Sequence, residues 1–345
     1  MLTLIGDNDK EATKIVSIYS NVHKKKRRPV ATVYFTHDVK SVEKQNVAPA
    51  AGVLALHKKG LKKTNKITEA EFQEICTMLD EEEEPEGSLR SAYWNIKPIY
   101  ERALRREMMI ADNPDIRFEL NFPKDKNTWP GTFTLIANSG AGKTYFLVDM
   151  IVRYFKSTAP FQRRTVIWLS PEWEIDKSLD KLKDKRWAFN VIGIDIGPIA
   201  LKKSGMDAAS YYHTKIAEVL ENHGEKALIC MDDFPDGAKA LYPYLRDAYN
   251  TMLRTARHRG SGVCSLQHTY AGHRNTVQAL QSNKYVIFFP RSQQNRCIMF
   301  MRDHLMMQMS EARELVLRFA ALDRYMIIQL HSPVCIFNSK YLLLT

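Results

Sequence analysis

The segment Ala137-Asn138-Ser139-Gly140-Ala141-Gly142-Lys143-Thr144 has the residue types and spacing that grip a phosphate. It satisfies the pattern GxxxxGK[ST] at every position except the first, where Ala137 stands in place of glycine. Gly140 and Gly142 let the backbone turn its N–H groups inward around an anion, with no Cβ in the way. Lys143 is placed to bridge the β- and γ-phosphates of ATP, and the Thr144 hydroxyl to hold Mg²⁺. Asn138, Ser139 and Ala141 complete the candidate nucleotide-binding set. Further on, the apolar run Leu228–Met231 ends in Asp232 and Asp233. A carboxylate at such a strand end can hold the water shell of the metal, the role expected of Asp232. Asp233 is placed to draw a proton from an attacking water as general base. Paired acids point to hydrolysis, since a small-molecule kinase needs only the first of them.

Arg254, Arg257, His258 and Arg259 crowd the end of the next helical segment. A cationic last turn complements the helix dipole. The sharper reading is that Arg257 or Arg259 reaches the γ-phosphate held by a neighbouring subunit, as an arginine finger. Gln267 ends the following strand, where it could sense the γ-phosphate or position water, and Arg291 is a further finger candidate. His268 and His273 lack the spacing and flanking Glu of a helical metal site and read as surface or loop histidines. Trp168 lies in an apolar strand and reads as core, and the Met-rich stretch 299–309 as adaptable helix packing.

These residues need strands and helices to hold them. Strand signals cover 132–136, 165–169, 227–231, 262–266 and 285–289, with a weaker one within 187–196. Helical spacing covers 143–155, 210–223, 244–258 and 275–282. Near-continuous apolar strands alternating with helices predict an α/β fold. Its mostly parallel sheet is covered by helices on both faces, as in a P-loop NTPase.

The chain has 345 residues, with 50 Lys+Arg against 39 Asp+Glu, a net charge of +11, and a calculated pI near 9.3. That surplus points to a polyanionic partner, most simply nucleic acid. Residues 1–66 hold 14 basic against 5 acidic residues, concentrated at Lys24–Arg28, Lys58–Lys59 and Lys62–Lys63. The Lys24–Arg28 cluster reads as a nuclear import signal, a DNA-contact arm or a solvated loop, which the sequence does not separate. Residues 67–86 then carry nine acids and no base, which reads as a linker or solvated segment. The division expected is a basic region over 1–90, containing a strand near 29–36, and an ATPase domain over 91–345. Five scattered cysteines without a CxxC pair argue against zinc ribbons and disulfide scaffolds. With no signal-peptide core and no apolar run of about 18 residues, an intracellular location without a membrane partner is expected.

The ordered set runs from the phosphate loop to Asp232-Asp233, a helix ending Arg257-His258, a strand ending Leu266-Gln267 and a last apolar strand. It resembles the DNA-packaging ATPases of nucleocytoplasmic large DNA viruses, poxviruses and polinton-type elements, within the FtsK–HerA group of DNA-pumping motors. The resemblance covers about residues 115–340. It implies nucleotide contacts from Gly140, Gly142, Lys143 and Thr144, metal and water chemistry at Asp232 and Asp233, a sensor at Gln267 and a trans-acting Arg257 or Arg259. It also implies a homo-oligomeric ring working on double-stranded DNA beside capsid portal or vertex proteins. Ala137 and the basic N-terminal region depart from the family pattern. The competing expectations are a helicase or AAA-type remodeller, a nucleotide-binding scaffold silenced by Ala137, and a small-molecule kinase.

Overall fold

A computed structural model describes residues 2–3, 13–20, 31–35, 50–54, 58–81, 83, 85, 87–104, 108–110, 116–120, 131–158, 165–184, 190–256, 258–268, 282–331 and 334–344. Strands are numbered in chain order. β1 (Leu2–Thr3), β2 (Thr13–Ser20), β3 (Ala31–Phe35) and β5 (Ile116–Leu120) form a small antiparallel sheet in the order β1-β3-β2-β5. Among the described residues the main sheet has ten strands. It comprises β4 (Met108–Ile110), β6 (Phe133–Ile136), β7 (Thr165–Ser170), β8 (Asn190–Asp195), β9 (Leu228–Asp232), β10 (Gly262–Gln267), β11 (Tyr285–Phe288), β12 (Met326–Gln329), β13 (Cys335–Phe337) and β14 (Tyr341–Leu344).

Its order is β4-β14-β13-β12-β11-β6-β10-β9-β7-β8, parallel from β11 to β8 and antiparallel from β12 outward. The parallel strands read as apolar runs because both faces are covered. On β7, Val166 and Trp168 point into one core with Leu147 and Ile151 of helix Lys143–Thr158. Ile167 and Leu169 point the other way, into a core with Leu245, Tyr249 and Leu253 of helix Tyr242–Thr255. The same alternation on β11 sends Val286 and Phe288 against helices Pro290–Leu305 and Met309–Leu322. Burying a Leu- or Ile-sized side chain this way stabilises by roughly 1.5–3 kcal/mol. Trp168 is fully buried, as its apolar strand implies. In the Met-rich stretch Met301 and Met307 are core, while Met299, Met306 and Met309 are exposed.

The small sheet is bound to this body. Val16, Phe118 and Leu120 join the core beneath helix Lys143–Thr158, and Arg153 of that helix donates from Nη1 to the buried Glu119 Oε1 at 2.7 Å.

The acidic stretch after residue 66 departs from the linker reading. Glu69–Glu81 is a helix that buries Phe72, Ile75, Cys76 and Leu79. Its start is a capping box, in which Thr68 N–H donates to Glu71 Oε2 (2.7 Å) and Glu71 N–H to Thr68 Oγ1 (3.3 Å). Apolar spacing outweighs the charge of the exposed face. Tyr93, Ile96 and Tyr100 of helix Arg90–Leu104 pack into the same cluster. That helical unit therefore runs across residue 90, and β5, beyond it, pairs with the N-terminal β2. Lys24–Arg28, Arg257 and His273 lie outside the described residues, as does all but the last residue of the helix expected over 275–282.

Candidate functional site

Register sets the site. Gln267 of β10 is level with Ile136 of β6, and Leu266 is level with Asp232 of β9. The carboxyl ends of these parallel strands therefore finish side by side, which is where α/β sheets hold ligands. The loop after β6 enters helix Lys143–Thr158, whose first-turn N–H groups face that crevice. Gly140 has φ +73° and Gly142 φ +95°, conformations that side chains rarely adopt. Ala137 has no such conformation. It is fully buried in the core and its N–H donates to Gln267 O at 3.1 Å, so the first position of the motif needs no glycine here.

A cavity of about 490 Å³ opens at this edge. Asn138, Ser139, Gly140, Gly142, Lys143 and Thr144 line one side, and Asp232, Asp233, Asp236 and His268 another. Its third wall is Ser170, the last residue of β7, with Pro171, Glu172, Asp176 and Ser178 beyond it. Tyr145 stands 63% exposed at the rim.

Lys143 is only 5% exposed. Its Nζ donates to Ala137 O (3.0 Å) and to Nδ1 of His268 (3.0 Å). On the far edge of the imidazole, Nε2 lies 2.9 Å from Asp233 Oδ2. This network assigns the tautomer, with Nδ1 accepting from the ammonium and Nε2–H donating to the carboxylate. His268 is thus a bridge between cation and acid, a correction to its reading as a surface histidine. The other oxygen of Asp233, Oδ1, is buried and has no protein donor among the described residues. Asp233 itself sits in the left-handed region (φ 42°, ψ 38°), a conformation that turns the chain out of β9 directly after Asp232.

Burial dominates the electrostatics. It lowers the Lys143 pKa against the pull of Asp233 and Asp232. It raises that of Asp233, which Lys143 and His268 oppose. It pushes Asp232 up to about 7, with the Asp233 charge adding to the effect. A carboxyl raised in the fold stabilises it fully below its unfolded pKa, and that contribution is lost as pH rises through 7. Asp232→Asn is therefore expected to stabilise the metal-free protein at pH 8 by on the order of a few kcal/mol. The gain should fade as pH falls through 7 towards 4. Thermal melts in a chelator at both ends of that range check the sign, and equal destabilisation throughout would contradict it.

The donor set fits Mg²⁺. The Thr144 hydroxyl and a buried Asp232 carboxylate are hard oxygens lining one cavity. Asp233, Asp236 and His268 also offer ligand atoms within 4.8 Å of one another, but His268 is already committed to Lys143 and Asp233.

Other expected residues fall elsewhere. The Gln267 side chain donates to Ser265 Oγ (3.3 Å) and is not part of the cavity wall, so its neighbour His268 is the residue that reaches the site. Arg259 accepts through its carbonyl from Lys226 N–H (3.1 Å), at the amino ends of β9 and β10. That is the opposite end of the sheet from its own cavity. Arg254 is exposed on helix Tyr242–Thr255. Arg291 is at the right end but donates from Nε to Ala320 O (2.7 Å).

Two further residues buttress the loop. Gln293, 5% exposed, donates from Nε2 to Asn138 Oδ1 (2.8 Å) and to His268 O. Arg324 Nη2 donates to Ala141 O (3.2 Å). No sequence signal marked either, because each arrives from more than 150 positions away.

No family model matches the chain, and no curated protein does. Solved structures with a similar fold include the genome packaging NTPase B204 from Sulfolobus turreted icosahedral virus 2 in complex with AMPPCP. It is 13% identical over 60% of this chain and 97% of that one, with a TM-score of 0.34. The cytoplasmic domain of the Thermomonospora curvata type VII secretion ATPase EccC is 14% identical over 61% of this chain and 25% of that one (TM-score 0.39). The pCW3 conjugation coupling protein TcpA with ATPγS is 13% identical over 72% and 81% (TM-score 0.34). At these scores the likeness decides nothing about this chain, whose chemistry rests on its own residues.

Proposed function

We propose that the protein is a Mg²⁺-dependent ATPase that moves double-stranded DNA, and that its task is packaging a viral genome into a capsid. The observation that carries the ATPase reading is the Lys143–His268–Asp233 chain, set between the phosphate loop and Asp232 in one cavity. The triphosphate would lie on the loop N–H groups, with Lys143 leaving Ala137 O to meet the β- and γ-phosphates. Held by Thr144 and Asp232, the metal would supply positive charge for the oxygens on which negative charge grows. His268 Nε2–H keeps Asp233 Oδ2 in place and so aims Oδ1 at the attacking water. The water oxygen bonds to the γ-phosphorus as the bond to the β-phosphate oxygen breaks. Its proton passes to Asp233 Oδ1 and ADP leaves.

A finger role for Arg259 would require a second copy of the chain. From the far end of the sheet it can complete only another copy's site, as in a ring. The DNA reading rests on the basic surplus and on the ordered motif set. Lys59, Lys63 and Lys66 lie on one exposed face in and just after helix Lys58–Asn65, while Lys58 and Lys62 pair with Glu69. A translocating motor should displace a third strand annealed to a long duplex without unwinding a forked one. Fork unwinding would instead favour a helicase. ATP binding without turnover would favour a scaffold.

A further inference from the structure

Arg324 occupies the turn between helix Met309–Leu322 and β12, 183 positions from the loop carbonyl it touches. Its guanidinium stands directly over the glycine before the catalytic lysine. A Cβ built on Gly142 would lie 2.7 Å from Nη2 and 3.6 Å from Cζ. Among the described residues the fork is engaged through Nη2 alone, with Ala141 O, and the side chain is exposed. The turn is braced on both sides. Asp323 accepts the N–H of Arg324 through Oδ1 (2.7 Å) and that of Ser339 through Oδ2 (3.1 Å). Tyr325 packs on Phe146 of the loop helix, with ring centroids 4.6 Å apart.

The orientation of a bound nucleotide follows from the cavity. Lys143 and Asp232, each 5% exposed, mark its inner end, where the γ-phosphate belongs. Tyr145 marks the open rim. A triphosphate running outward along the loop brings its α-phosphate and sugar past Gly142, to the side on which Arg324 stands. The side chain at Arg324 can turn from Ala141 O to an anionic oxygen with little motion, and its fork suits a phosphate.

We propose that Arg324 is a nucleotide-binding residue acting in its own subunit, which clamps the α-phosphate and ribose side of the nucleotide and leaves the γ-phosphate to other groups. The proposal rests on the nucleotide reading of this site and deepens it. It explains why position 142 must be glycine on two grounds, its φ and the space that the guanidinium occupies. It also separates Arg324 from a finger, because the α-phosphate is common to ATP and ADP.

The test is titration of the full chain with fluorescent ADP and a fluorescent non-hydrolysable ATP analogue, beside steady-state phosphate release. Arg324→Ala, Arg324→Lys and Lys143→Ala are compared with the parent, with melting curves to show that each folds. Arg324→Ala is expected to weaken ADP and the ATP analogue alike, by about tenfold or more. Its turnover loss should fall on KM rather than kcat, and Arg324→Lys should restore only part of the affinity because lysine lacks the fork. Unchanged ADP affinity with a reduced kcat would overturn the proposal in favour of a γ-directed role, and unchanged affinity for both would overturn it outright. If Lys143→Ala also leaves both affinities intact, the nucleotide reading itself has failed, a result distinguishable from failure at Arg324 alone.

Discussion

Replacing Lys143 with alanine is expected to lower kcat/KM for ATP by a factor on the order of 10² to 10³, the loss typical of removing one group that stabilises transition-state charge. The ammonium is buried, and Ala137 O and His268 Nδ1 hold it within the site without consuming it in a salt bridge. Its removal leaves the Asp232 and Asp233 carboxyls, already raised by burial, without their main cationic neighbour. Both should become harder to ionise, so metal affinity at neutral pH should fall together with turnover. Phosphate release and Mg²⁺ titration of the variant check the two effects. Wild-type turnover in Lys143→Ala would contradict the placement of phosphate in this cavity.

Asp233→Asn separates chemistry from binding. An asparagine oxygen can still accept from His268 Nε2–H, but an amide nitrogen in place of Oδ1 takes no proton. Turnover should therefore fall about 10²- to 10⁴-fold, the usual contribution of a general base, while ATP affinity stays within a few-fold of the parent. Single-turnover phosphate release beside equilibrium nucleotide binding reads both quantities. A kcat that barely changes would move the base to another acid on the wall, with Glu172 and Asp176 the candidates.

The contrast between what the sequence disclosed and what it withheld has a physical basis. The phosphate loop is a local object, in which strand, glycines, lysine and helix are contiguous, so composition and spacing suffice. Asp232 and Asp233 were legible because an apolar strand ends on them. His268 was not, because its role depends on the register that sets Gln267 level with Ile136 and so puts the next residue over Lys143. The same register buries part of Gln267 and turns its side chain to Ser265, away from the position expected of a sensor. Arg324 and Gln293 reach the loop only through packing of the antiparallel extension and its helices, which no local pattern encodes. At 69–81 the apolar spacing of Phe72, Ile75, Cys76 and Leu79 was present in the sequence, and the density of acids beside it concealed the helix. The alanine at 137 is explained in the opposite direction. The backbone there is ordinary, so a departure from the motif carries no penalty.

The most direct measurement is phosphate release by the protein at low salt with Mg²⁺ and ATP, with and without long double-stranded DNA, beside Lys143→Ala. A DNA-moving ATPase should show turnover that rises with DNA, falls steeply as salt screens the phosphate contacts, and disappears in the variant. ATP binding with no release under any DNA condition would contradict the motor.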